Sequence, residues 1–87
     1  MIRQRRLPEW WHWPVYVGEH VKRRMPLRHF NEADLRAMLE DAEEIVPDVA
    51  PDRWLVRSRL GKDPWEIVVE PDPIWRQLVV VTAYPIE

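Results

Sequence analysis

Cysteine is absent from this 87-residue chain, and glycine occurs only twice, at Gly18 and Gly61. Without thiols there is neither a disulfide framework nor a thiolate metal site, and three histidines do not make a structural zinc centre. Two isolated glycines exclude a phosphate-cradling loop and a dinucleotide fingerprint; HExxH, CxxC and GxSxG are missing too. No metal and no cofactor are therefore expected. Apolar runs never approach the roughly 18 residues of a membrane span, and the N-terminal arginines lead into Pro8-Glu9 rather than an apolar signal core. The expectation is a cytoplasmic protein with no membrane partner. At this length one domain over residues 1–87 is all that a single core allows.

What is present is unevenly distributed. The net charge is −2, yet residues 1–30 carry seven basic and two acidic side chains, a local +5. Residues 31–52 reverse this with eight acids against Arg36, a local −7, and residues 53–87 balance at five each. Eleven of the thirteen basic residues are arginine, the side chain suited to bidentate phosphate contact and to stacking on rings. Such a chain can bind an anion with its first third, or pair its oppositely charged segments with each other.

The best-marked element opens at Asn31, an N-cap with Asp34 in the capping-box position and Phe30 and Leu35 at the staple positions. Leu35, Met38, Leu39 and Ala42 then recur at helical spacing, predicting a helix over residues 32–44 that Pro47 stops. Val17, Val21 and Met25 lie one turn apart and predict a shorter helix that Pro26 ends or kinks near Met25. Residues 10–16 are aromatic and β-branched, compatible with an edge strand bounded by Pro8 and Pro14.

From Trp54 the period becomes two. Trp54, Val56, Ser58 and Leu60 alternate with Leu55, Arg57 and Arg59; the turn from Gly61 to Pro64, a strand over 65–70, the break Pro71-Asp72-Pro73 and a Val-rich strand over 78–84 follow. The Val-rich strand is expected to be central and covered on both faces. The expected fold class is α+β: two N-terminal helices packed on a three- to four-stranded antiparallel sheet, in the order (β)ααβββ.

The residues able to do chemistry are His, Arg, Thr and Tyr. Phosphodiester cleavage suits such a set: one proton leaves a 2′-hydroxyl, another reaches the departing 5′-oxygen, and cations stabilise the phosphorane. His20 has Arg24 one turn on and Arg28 beyond, while Thr82 and Tyr84, two apart on a strand, point from one face. Arg23, Arg57 and Arg59 are candidate RNA-backbone contacts. Each also has an ordinary reading, as an exposed imidazole, a cation answering the next helix's acids, or a solvated strand face.

The run HVKRRMPLRHFNEADL, residues 20–35, resembles the His-x-x-x-Arg-Met-x-x-Arg-x-[Ile/Phe]-[Ser/Thr]-x-x-Asp-[Ile/Leu] opening of DUF4258-like proteins. These small bacterial proteins are grouped with the barnase/EndoU/colicin/RelE-like (BECR) nuclease folds. Residues 53–56, 65–72 and 78–85 resemble the family's strands, ending in its Val-x-Thr-x-Tyr pattern. Pro26 between the two arginines and Asn31 in place of Ser or Thr depart from the pattern. The resemblance implies metal-independent RNA cleavage by the toxin of a toxin–antitoxin pair, with RNA and a cognate antitoxin or a second copy as partners. Carried onto this chain, it assigns the catalytic set to His20, Arg24, Arg28, Thr82 and Tyr84.

Six tryptophans are many for 87 residues. Trp54, Trp65 and Trp75 belong in or beside the meander and are expected as core mass. Trp10, Trp11 and Trp13 precede the family-like residues 15–87, lie close to Arg3, Arg5 and Arg6, and are expected to form an exposed apolar patch on a 1–14 extension. The alternative function is accordingly a non-catalytic interaction module that uses this Arg/Trp-rich N-terminus to hold a partner or a second copy.

Overall fold

The computed structural model describes residues 7–86, so Arg3, Arg5 and Arg6 lie outside the described residues. A 3₁₀ turn, Glu9–His12, leads to β1 (Val15–Val17), α1 (Glu19–Arg28), α2 (Glu32–Glu40), β2 (Glu44–Pro47), β3 (Trp54–Leu60), β4 (Asp63–Asp72) and β5 (Gln77–Pro85). The strands form one sheet in the order β1-β5-β4-β3-β2, antiparallel except for the β1–β5 pair. The fold is α+β, with five strands in a mixed sheet rather than three or four in an antiparallel one.

Both helices lie on one face of the sheet. Val17, Ile45, Val56, Trp65, Ile67, Val69, Leu78, Val80 and Ala83 point into the core, where they meet Val21, Phe30, Leu35, Met38 and Leu39. Phe30 meets Trp65 edge to face with ring centroids 5.0 Å apart. The Asn31 capping box forms as its sequence dictates: Asp34 N donates to Asn31 Oδ1 at 2.8 Å, and Asn31 N donates to Asp34 Oδ2 at 3.0 Å. Such a cap contributes about 1 kcal/mol.

Three boundaries differ from the periodicity. First, α1 runs through Pro26 to Arg28 instead of ending at Met25. Proline forfeits only its own bond to the Lys22 carbonyl, and the end is closed by His29 at φ 56° with Phe30 N–H reaching Met25 O at 3.1 Å. Second, α2 stops at Glu40 and residues 44–47 form a strand. Pairing Ile45 with Val56 and Glu44 with Arg57 outweighs continuing the helix, and Pro47 is tolerated because β2 is an edge. Third, Trp10 and Trp11 belong to the 3₁₀ turn, and the first strand is only Val15–Val17.

The Val-rich strand β5 is interior only where β1 flanks it, at Leu78 to Val80. Leu78, Val80 and Ala83 are buried, and Val79, Val81, Thr82 and Tyr84 are half-buried, so the two faces are covered unequally. A register shift at Val68/Val69 keeps Ala83 on the core side while Thr82 and Tyr84 face outward.

Ser58 is the buried polar group of the core, and its Oγ donates to Met38 O at 2.7 Å. This carbonyl is in the last turn of α2, where no intrahelical donor remains. Ser58→Ala is expected to lower stability by about 1–3 kcal/mol by leaving a buried acceptor unsatisfied. A urea titration reads this as a lower midpoint at unchanged slope.

Candidate active site

Beyond Val80 the outer edge of β5 has no β1 partner, and the end of α1 covers it. Arg28 Nη1 donates to Ala83 O at 2.8 Å and lies 3.4 Å from Thr82 Oγ1. The guanidinium thus substitutes for a missing strand neighbour. It also places a cation beside the outward face of β5, in no ion pair among the described residues.

That face carries a polar row set by strand register. Tyr84 of β5 is opposite Glu66 of β4, Glu66 is opposite Arg57 of β3, and Arg57 is opposite Glu44 of β2. Tyr84 OH donates to Glu66 Oε2. Arg57 Nε lies 3.5 Å from Glu66 Oε1, and Arg57 Nη1 donates to Glu44 Oε1 at 2.8 Å. The side chain of Glu66 is only 14% exposed, so its carboxylate is shared between a phenol and a guanidinium with little water. Hydrogen bonding and charge from Glu44, then from Glu66, raise the Arg57 pKa and make it a fixed cation.

The Tyr84 phenol is pushed up to about 12, chiefly because its proton is held by Glu66, then by burial and by the charges of Glu66 and Asp48, with Arg28 opposing. Tyr84 is therefore a neutral proton donor at physiological pH. A folded-state value above the ordinary 10.0 means that the contribution to stability is full below pH 10 and is lost as pH rises to about 12. Ultraviolet titration of phenolate should resolve one tyrosine near 12, and Glu66→Gln should return it toward 10.

Three of the five residues assigned to catalysis, Arg28, Thr82 and Tyr84, thus meet at one edge of the sheet. The other two do not join them directly. His20 is exposed in the first turn of α1, eight residues from Arg28 and so roughly 12 Å along the axis. Arg24 is exposed between them at i+4, giving all three one helix stripe. Lys22, Arg23 and Arg24 form no ion pair among the described residues, so the acids of α2 do not answer them. Those acids and the next ones pair elsewhere: Glu32 with Arg36, Glu43 with Arg59, and Glu44 with Arg57. Arg57 and Arg59, candidates for RNA contact, are thereby occupied by carboxylates on the open sheet face.

Glu66 is a further member of this site, beyond the residues that the sequence pattern singles out. Its neighbours Trp65 and Ile67 point inward, so the alternation alone puts it on the open face. Only the register across β4 and β5 reveals that it faces Tyr84.

The tryptophan groups are also redistributed. Trp10 and Trp11 pack against the core, with Trp10 5.5 Å from Trp54 and 6.0 Å from Trp11 between ring centroids. The three N-terminal tryptophans are half-buried rather than an exposed patch. Trp75, expected as core mass, is 76% exposed at the β4–β5 turn beside Ile74 at 86%. Asp72 Oδ1 builds that turn by accepting from the backbone N–H groups of Ile74 and Trp75, leaving their side chains outside.

Comparison with family models, curated proteins and solved structures gives no match to this chain.

Proposed function

We propose that this protein is a metal-independent endoribonuclease, acting at the edge of β5. The observation that carries the reading is the meeting of Arg28, Thr82 and Tyr84 beside the half-buried Glu66 carboxylate. In the proposed reaction Glu66 takes the proton of the 2′-hydroxyl, whose oxygen attacks phosphorus. Arg28 balances the charge that develops on the phosphorane oxygens, and Tyr84 fixes the orientation of the Glu66 carboxylate by donating to its Oε2. The 5′-oxygen leaves with a proton from solvent, and the product ends in a 2′,3′-cyclic phosphate; His20, roughly 12 Å along α1 from Arg28, is placed to contact the neighbouring backbone rather than the scissile phosphate. Lys22, Arg23 and Arg24, which form no ion pair among the described residues, hold the neighbouring backbone electrostatically. Resemblance to DUF4258-like and BECR proteins supports the same reading and adds a cognate antitoxin as partner.

The test is a defined oligoribonucleotide incubated with the purified protein in excess EDTA, beside Glu66→Gln. Expected are cyclic-phosphate ends and a loss of about 10²–10⁴-fold in the variant, the range of a positioned acid or base. No cleavage, or equal cleavage by both proteins, would sink the proposal.

A second reading, a non-catalytic interaction module, has its own observation in the exposed Ile74 and Trp75. It moves the contact surface from the N-terminus to the β4–β5 turn. A partner or second copy lost on Ile74→Ser with Trp75→Ser, in a protein inert toward RNA, would favour it.

A further inference from the structure

At the other end of the sheet the 3₁₀ turn, the start of β3 and the end of β4 enclose an open cleft of about 580 Å³. Its walls combine three indoles, Trp10, Trp13 and Trp54, with three carboxylates, Asp52, Glu70 and Asp72. Glu66 and Glu70 are four residues apart on β4, so the cleft lies roughly 13 Å from the polar row of Tyr84. Its chemistry is opposite to that of the basic helix, and no phosphate would settle there.

We infer that this cleft binds an arginine side chain presented by a basic peptide segment of a partner. Indole faces attract cations more strongly than the other aromatic rings do, and guanidinium stacks on them as a flat, weakly hydrated ion. Trp10 and Trp54 supply two such faces inclined at 48°. Their support is rigid, because both pack against the core. Trp13 lines the cleft as a third indole.

The carboxylates have capacity to spare. Asp52 makes no hydrogen bond or ion pair among the described residues, and its backbone at φ 65° presents it from a tight turn. Asp72 uses Oδ1 for the turn N–H groups, and Glu70 uses Oε1 for Arg53 Nε at 3.0 Å. One oxygen of each remains for a ligand. With Arg53 neutralising one charge, a net −2 faces an indole-walled trough, which suits the forked donors of one guanidinium. At about 580 Å³ the cleft holds more than one arginine side chain, which fits a peptide carrying the arginine.

The test is a titration of the full chain with acetyl-Gly-Arg-Gly-amide, followed by the indole N–H resonances in nitrogen-15-labelled protein. The control peptide has citrulline, which keeps the shape without the charge; free arginine is the third ligand. Expected are saturable shifts of Trp10, Trp13 and Trp54, with Trp65 unmoved, and weaker or no shifts with citrulline. Asp52→Asn should weaken binding about five-fold, the effect of one charge at contact distance in water. Trp13→Leu, which spares the core, should weaken it at least as much while leaving the other indole signals in place. Equal response to citrulline, tighter binding of free arginine than of the peptide, or an unchanged Asp52→Asn titration would overturn the inference. Shifts that follow protein concentration without peptide would assign the cleft to a second copy and overturn it as well. RNA cleavage plays no part in this readout, so either proposal can fail alone.

Discussion

Under the proposed endoribonuclease reaction, Arg28→Ala is expected to lower RNA cleavage by about 10²–10³-fold, the cost of removing one preorganised donor from a developing oxyanion. The same change removes the 2.8 Å bond to Ala83 O. That carbonyl belongs to the buried Ala83, so the accompanying loss of stability should be about 1–3 kcal/mol. The two effects separate by measurement. A urea midpoint lowered by that amount, together with cleavage reduced a hundredfold at full occupancy of the folded state, assigns the loss to chemistry. Arg28→Lys sharpens the distinction: it keeps a cation at the edge but loses the planar fork, and should recover part of the activity. Cleavage by Arg28→Ala within a few-fold of the parent would remove the β5 edge from the reaction.

The largest effect on stability is expected at Leu35. Its side chain is fully buried, one turn into α2 at the point where the Asn31 cap aims the helix at the sheet. Leu35→Ala should cost about 3–4 kcal/mol, the removed burial plus the cavity left behind. Domains of this size are stable by only about 5–15 kcal/mol, so much of the margin is consumed. For a chain under 100 residues each kcal/mol moves the midpoint by roughly 4–8 °C, which places the expected fall in Tm at 12 °C or more. Calorimetry or thermal circular dichroism checks this. Met38→Leu nearby, a change that conserves volume, should cost less than about 1.5 kcal/mol. A Leu35→Ala midpoint within 3 °C of the parent would mean that α2 is not seated by this face.

Much of the fold was legible because its signals are local. Asn31 with Asp34 makes a cap through atoms three residues apart, and the Leu35, Met38, Leu39 stripe follows from helix geometry alone. Gly61 marks the β3–β4 hairpin because its φ of 63° is open to glycine. The misplacements share one cause. Ile45 and Val46 suit a helix end or a strand equally, and pairing with β3, eleven residues away across the register at Ile45–Val56, decides for the strand. The fate of Trp75 depends likewise on an Asp72 turn that faces the indole outward.

The candidate site divides along the same line. Its residue types were apparent: arginine at a helix end and two hydroxyl groups two apart on a strand. Their convergence was not, because Arg28 and Ala83 are 55 positions apart and meet only since β1 is too short to cover the edge of β5.

By itself the sequence determined the α+β class, the α2 cap, the β3–β4 hairpin and the shared strand face of Thr82 and Tyr84. These depend on contacts within a few residues or on strand periodicity. The tertiary structure alone decided that β1 joins β5 in parallel, that Glu66 faces Tyr84, that the carboxylates take Arg57 and Arg59 but leave α1 cationic, and that three tryptophans wall an acidic cleft. Register and edge coverage are properties of the assembled sheet, set by which strands become neighbours, and no local spacing encodes them.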